Sequence, residues 1–341
     1  MRQIRVLVVE DSLVFRELLV RNLNMHPQIE VVATARDPFE ARDAIIAYKP
    51  DVMTLDIELP KMSGIEFLRK LMPQYPIPVV MISALSDKVF DAMNAGAVEF
   101  VAKPSLATKS QMEELIRRDL PEKIRIAAVA DLTNIRKKTS NTQLANRISY
   151  DKDTVIAIGA STGGTEAIAS VIKQFGADMP GIVIVQHMPA GFTGMYAQRL
   201  NSQSRLHVRE ARQGDVVVPG TAYLAPGGDC HMQIIKIGAQ YLISLKNAPR
   251  VNGHCPSVDV LFDSVAKHAK AHALGILLTG MGNDGANGLL HMRQAGAHTI
   301  GQDEDSCVVY GMPRVAYELG AVEYQENLSD IPDRTYQILS R

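Results

Sequence analysis

Short runs in which nearly every residue is apolar recur along the chain, and they restrict its fold more than any other feature. "IRVLVV", "EVVATA", "DVMTLD", "PVVMIS" and "VEFVAK" fall within the first 120 or so residues, separated by amphipathic stretches such as "LVFRELLVRNL". A strand with one solvated face alternates apolar and polar residues. A strand that is apolar throughout is buried on both faces, which calls for parallel strands covered by helices. A second series, "TVIAIG", "GIVIVQ", "LGILLTG" and "HTIGQD", begins near residue 153. Between the two series, residues 131–152 are polar, lack a sustained period and carry the basic cluster Arg136, Lys137, Lys138, so they read as a linker. At 341 residues the chain also exceeds most single cores. Two α/β domains are expected, over residues 1–122 and 153–341, with a helix end and linker over 123–152.

Charge and cysteine content exclude several functions. With 36 basic and 37 acidic residues, a net charge of -1 and a pI near 6.8, nothing in the bulk electrostatics favours nucleic acid or an anionic membrane. Cys230, Cys255 and Cys307 are widely spaced, without a CxxC pattern, so neither a disulfide framework nor a thiolate zinc site is expected. The N-terminal apolar run is too short for a signal sequence, and no stretch approaches twenty apolar residues. A soluble cytoplasmic protein without membrane insertion is expected.

In an open parallel sheet, ligands bind beyond the carboxyl ends of the strands. In the first series those ends carry Glu10 and Asp11, Asp56, Ser83, and Lys103 followed by Pro104. Three carboxylates on one edge repel unless a hard cation neutralises them, and oxygen ligands suit Mg²⁺. Asp56 is then a candidate phosphoryl acceptor, with Lys103 balancing the developing charge and Ser83 donating to a phosphoryl oxygen. Any one of these residues alone reads as a turn or helix-cap residue; four strand ends together do not. The pattern "VVEDS…LDIELPKMSGIEFL…VVMISA…EFVAKP" resembles response-regulator receiver domains over nearly all of residues 1–122. The resemblance implies a flavodoxin-like (βα)5 fold and phosphorylation of Asp56 by a partner histidine kinase. It also implies Mg²⁺ on Glu10, Asp11, Asp56 and a backbone carbonyl near Glu58, and Phe100 as the switch aromatic beside Ser83 and Lys103.

The second series opens on "VIAIGASTGGTEAI", where Gly159 to Gly163 fits G-x-S-x-G, a sharp strand-to-helix turn that exposes Ser161. A dinucleotide fingerprint is the rival reading. It needs glycine where Ser161 stands and an acid at the end of the next strand, where Gln186 and His187 stand instead. His187 follows an all-apolar strand, as Ser161 does, and is placed on the same sheet edge. A histidine acting on serine needs a third group to fix its tautomer. Asp284, in the glycine-rich "TGMGNDGANGL", is preferred over the rival Asp303, because its loop offers backbone N–H groups at Gly280, Met281 and Gly282 for an oxyanion hole. His231 and His254 lie in loop-like stretches and are secondary. His268 and His272, four apart, read as a solvated helix face rather than a metal site.

The order Ser, His, Asp differs from that of α/β-hydrolases. "GASTGGTEA", "QHMPAGFTGMYAQRL", "LAPGG", "NGHCPSVDVLF", "TGMGNDGANGL" and "SCVVYGMP" occur in that order and resemble the chemotaxis protein-glutamate methylesterase family. The resemblance implies a doubly wound, mainly parallel-sheet α/β methylesterase domain with Ser161, His187 and Asp284 as the triad and Met281 N–H in the oxyanion hole. It implies chemoreceptor glutamate methyl esters as substrates, deamidation of receptor glutamines, and no cofactor in this domain. Thr162, Thr165, Met188 and Arg199 are placed along the substrate cleft. Cys255 stands where arginine or another polar residue is expected, and reads as a small buried thiol rather than a nucleophile. The receiver is expected to cover the Ser161 edge until Asp56 is phosphorylated.

Overall fold

The structure, a computed structural model, describes residues 2–84, 87–103, 109–132, 150 and 153–340. The chain divides into two compact units, residues 1–135 and 136–341. Pro104 and the Arg136–Lys138 cluster lie outside the described residues.

In the first unit each apolar run becomes a strand and each amphipathic stretch a helix: β1 (Ile4–Val9), α1 (Leu13–Leu23), β2 (Ile29–Ala35), α2 (Pro38–Tyr48), β3 (Val52–Asp56), α3 (Gly64–Leu71), β4 (Val79–Ala84), α4 (Lys88–Asn94), β5 (Glu99–Lys103) and α5 (Lys109–Ala127). All pairings are parallel, in the order β2-β1-β3-β4-β5. Val6, Leu7, Val8, Val52 and Leu55 are wholly enclosed, and burying one such side chain contributes about 1.5–3 kcal/mol. Short polar residues start the helices: the Asp37 carboxylate accepts from Phe39 N–H (2.8 Å) and Glu40 N–H (3.0 Å) ahead of Pro38, and Ser63 Oγ accepts from Glu66 N–H (3.2 Å). The winding reverses between β1 and β3, which makes their carboxyl ends the two sides of the crevice.

The second unit runs β6 (Val155–Ala160), α6 (Gly164–Ile172), β7 (Gly181–Gln186), α7 (Phe192–Gln203), β8 (His207–Glu210), β9 (Thr221–Leu224), β10 (Cys230–Ile237), β11 (Gln240–Asn247), α8 (Val258–His268), β12 (Ala273–Leu277), α9 (Ala286–Gln294), β13 (His298–Gln302), α10 (Met312–Glu318), β14 (Tyr324–Glu326) and α11 (Ile331–Leu339). Seven strands form a parallel sheet ordered β14-β13-β12-β6-β7-β9-β8, while β10 and β11 make a separate antiparallel hairpin. The hairpin packs on α8: Met232, Ile234 and Ile243 join Leu261, Phe262 and Val265 in one buried cluster, and Ile234 N–H donates to Ser264 Oγ at 2.9 Å. Phe262 is fully enclosed, so Phe262→Ala would cost about 3–5 kcal/mol through lost contact and the cavity left behind. Winding proceeds from β6 to β7 on one side and to β12 on the other. The reversal therefore lies beside β6, and three adjacent strands, β12, β6 and β7, end at one place.

Candidate functional site

Those three strand ends carry Asp284, Ser161 and His187. Ser161 leaves β6 on a backbone held from several sides: its N–H donates to Thr279 O (3.0 Å), and its carbonyl accepts from Gly164 N–H (2.8 Å) and Gln186 Nε2 (2.8 Å). Gly163 takes φ +76° at the N-cap of α6, which makes the turn sharp. The half-buried Ser161 hydroxyl has no hydrogen-bond partner among the described residues.

His187 follows β7, and its N–H donates to Ala160 O at 3.1 Å, which registers it beside Ser161. Its Nε2 lies 2.8 Å from Asp284 Oδ2, while Nδ1 is buried and without a hydrogen-bond partner. With Nε2 donating to the carboxylate, the neutral ring keeps its lone pair on Nδ1. A buried polar atom left unpaired costs free energy and marks a place where a partner is expected.

Asp284 is 1% exposed and accepts from five donors: His187 Nε2, Asn252 Nδ2 (2.9 Å), Ser257 Oγ (2.7 Å), Val258 N–H (2.7 Å) and Asp259 N–H (3.3 Å). The last two are the first amides of α8, so the carboxylate also meets the positive end of that helix. Burial by itself would raise its pKa; the bond and charge of His187, then Asn252 and Ser257, hold it well below the usual carboxylate range. Asp284 is therefore an ionised, fixed acceptor. The rival Asp303 instead caps a short turn through Ser306 N–H (3.0 Å) and accepts from Asn327 Nδ2 (3.3 Å).

The amides of the Asp284 loop divide. Contrary to expectation, the Gly280 amide is not free: its N–H donates to Val309 O (3.0 Å) and its carbonyl accepts from Gly311 and Met312, so it is a strut and not an oxyanion donor. Met281 and Gly282 have no partner for their N–H groups among the described residues, and Met281 is 41% exposed. Thr162, Thr165 and Met188 are buried, and the Thr165 hydroxyl is enclosed without a partner. Arg199 is half-buried, with its charge near Glu166 and Tyr196. Burial, then Cys230 and Asp229, push the Cys255 thiol up, against the thiolate a nucleophile needs. His254 does reach the site, stacked on His187, and Asn252 and Ser257 join it on Asp284, while His231 stands one step back on Ser257 N–H and Pro249 O; the Asn-Gly turn signal and the Ser257 cap preceding an apolar run were visible in "NGHCPSVDVLF", but not their convergence on Asp284.

In the first unit, oxygens of Glu10, Asp11 and Asp56 lie within 4.8 Å of one another. Lys103 Nζ donates to Asp56 Oδ2 (2.5 Å) and Glu10 Oε2 (2.9 Å). Glu10 is raised to about 7, chiefly by burial, with the Lys103 bond opposing the shift and the Asp56 charge adding to it. Although burial opposes its charge, Lys103 is raised by its bonds to Asp56 and Glu10. Negative charge here exceeds what one ammonium offsets, and an all-oxygen cluster with Asp11 exposed fits a hard divalent cation such as Mg²⁺. Ser83 and Phe100 are buried in β4 and β5.

Comparison with known proteins gives a family for each unit. The "CheB methylesterase" family model matches residues 156–335, and that of the "Response regulator receiver domain" matches residues 6–117. A protein-glutamate methylesterase/protein-glutamine glutaminase 2 of Syntrophomonas wolfei is 57% identical over 341 residues, covering 100% of this chain and 99% of its own. The protein-glutamate methylesterase/protein-glutamine glutaminase of Salmonella typhimurium is 48% identical, with 97% of this chain and 95% of that one covered. The crystal structure of the Thermotoga maritima CheB methylesterase catalytic domain superposes with a TM-score of 0.53 at 36% identity, over 54% of this chain and 98% of that one. No helix among the described residues is long and apolar enough to cross a membrane. With relatives at this identity over its whole length, the chain belongs to the CheB methylesterase family, a response regulator receiver domain preceding the esterase domain.

Proposed function

We propose that the chain hydrolyses γ-glutamyl methyl esters on the cytoplasmic domains of chemoreceptors, with the receiver over 1–122, the linker ending at 152 and the esterase over 153–341. The observation that carries this reading is the His187–Asp284 pair with its unpaired Nδ1 at the strand end next to Ser161. Ser161 Oγ bonds to the ester carbon as His187 Nδ1 takes its proton, and the Met281 N–H, with an amide near Ser161, holds the oxyanion. The C–OCH₃ bond then breaks, His187 returns the proton, and methanol leaves. Water activated by the same nitrogen cleaves the acyl-enzyme to glutamate. Deamidation of glutamine follows the same path with ammonia leaving.

The receiver makes this activity conditional. Asp56 accepts a phosphoryl group from a histidine kinase, Lys103 and Ser83 hold it, and Phe100 carries the change onward. Mg²⁺ on Glu10, Asp11 and Asp56 would offset the charge of the added group. We place the enzyme in the cytoplasm, where kinase and receptor domains are reached.

Methanol release from methylated receptor membranes tests the reading. The native protein should release it and Ser161→Ala should not; equal rates would overturn the assignment.

A further inference from the structure

One tight turn reaches the triad at two points. Val251 and His254 exchange backbone hydrogen bonds of 3.0 and 2.9 Å, and the residues between them, Asn252 (φ +52°) and Gly253 (φ +84°), are both left-handed, the requirement of a type I′ turn. Asn252 Nδ2 donates to Asp284 Oδ1 (2.9 Å) and to Asp259 Oδ2 (2.7 Å). The His254 ring stacks on His187, centroids 3.7 Å apart and planes within 8°. The segment around the turn is anchored by the buried His231, which accepts from Ser257 N–H at Nδ1 (3.1 Å) and meets Pro249 O at Nε2 (3.0 Å). One ring nitrogen accepting and one donating describes a neutral histidine.

The bond to Asp284 fixes where His187 Nε2 lies but leaves the imidazole free to tilt about that contact, because the terminal torsion of histidine is broad. A flat ring in van der Waals contact with its face removes the tilt. Asp284 has the same problem one step back, since a carboxylate close to the buried Asp259 would turn away from it. Burial raises the Asp259 pKa, and the Asp284 charge raises it further. The two hydrogens of the Asn252 amide, one on each carboxylate, tie the two together, alongside the Ser257, Val258 and Asp259 donors on Asp284 and the Gly288 N–H on Asp259.

We propose that Asn252 and His254 are positioning residues of the triad: Asn252 sets the rotation of the Asp284 carboxylate, and His254 sets the plane of the His187 ring, so that Nδ1 stays directed to the Ser161 side through the proton transfers. Both act through the triad residues they touch. The proposal rests on the hydrolase reading above, and it differs from simple loop packing in where the loss falls. Misplacing a catalytic group by about 1 Å costs about 10²-fold in the chemical step.

The test is steady-state methanol release by the full-length chain from methylated receptor membranes, with kcat and KM separated and each variant's thermal midpoint recorded. His254→Ala should lower kcat by about 10–100-fold and leave KM within about twofold. His254→Phe, flat but without a ring nitrogen, should recover most of the loss. His254→Leu, which fills the space without a flat face, should fall with alanine, and it carries the test if alanine unfolds. Asn252→Ala should lower kcat similarly, and the double variant should lose less than the product of the single losses, because both act on one ring. Native kcat in His254→Leu, no recovery in His254→Phe, or losses confined to KM would overturn the proposal. Native turnover no greater than that of Ser161→Ala would instead sink the hydrolase reading.

Discussion

His187 Nε2 meets Asp284 Oδ2 at 2.8 Å, and the same oxygen accepts Val258 N–H at 2.7 Å at the start of α8. A single carboxylate oxygen thus holds the His187 ring and closes a helix N-terminus, and in the proposed mechanism it joins the orientation of the base to the structure of the site. Asp284→Asn turns an acceptor into a partial donor against Asn252, Ser257 and two amides. Loss of the histidine's tautomer control should lower kcat for methanol release by about 10⁴-fold. The mismatched buried donors should cost about 1–3 kcal/mol, read as a lower urea midpoint.

Acid should act on this carboxylate with a definite sign. Asp284 is held below its ordinary value of 3.8, so the folded chain binds its proton less readily than the unfolded chain. Its contribution to stability is complete above about pH 4 and is lost as the pH falls through the folded value. The native protein should therefore lose stability more steeply than Asp284→Asn on acidification below about pH 4, by up to about 1.4 kcal/mol per pH unit. Urea midpoints measured across this range test it, and equal slopes would contradict it.

Gly280, at the start of the loop that carries Met281 and Asp284, has no room for a side chain. A Cβ there would lie 2.3 Å from Met312 Sδ and 2.8 Å from Ser161 Cβ. Gly280→Ala must push one of them away. Overpacking of this kind costs about 1–3 kcal/mol, and displacing Ser161 by about 1 Å should cost about 10²-fold in kcat. A variant with a lowered thermal midpoint but native kcat would place the whole shift on Met312.

What could be read from the sequence followed from how locally it was encoded. β6, β7, β12 and β13 were apparent as apolar runs because strands buried on both faces need no alternation. β8, β9 and β14 are three or four residues each, too short for any period, and the β10–β11 hairpin belongs to neither series. The placement of Ser161, His187 and Asp284 near one another could be read because strand ends in a parallel sheet share an edge. The Gly280 amide was misread as free because its acceptor, Val309, is 29 residues away and joins it only through a tertiary bridge. Asn252 was missed and His254 ranked only as secondary for the same reason: their turn was visible, but its docking on Asp284 and His187 depends on α8, β12 and the His231 anchor.

The receiver offers a test that leaves the triad untouched. The chain after β3 folds back so that Gly64 N–H donates to Ile57 O at 2.9 Å, and a Cβ on Gly64 would lie 2.0 Å from the Asp56 carbonyl oxygen. No side chain shift relieves a clash with backbone, so Gly64→Ala must move the end of β3 or the start of α3, and Asp56 with it. Asp56 Oδ2 then leaves its 2.5 Å contact with Lys103 Nζ, which disturbs the charge balance that in-line phosphoryl transfer needs. The expected outcome is a phosphorylation rate from a small-molecule phosphodonor at least about tenfold below native, since a loss of about 1.4 kcal/mol in the transition state suffices. Methanol release without phosphodonor should remain native, because Gly64 belongs to the receiver unit. Unchanged phosphorylation would mean that the loop yields without moving Asp56, whereas a fall in unstimulated methanol release would show that packing within the receiver reaches the esterase without phosphorylation.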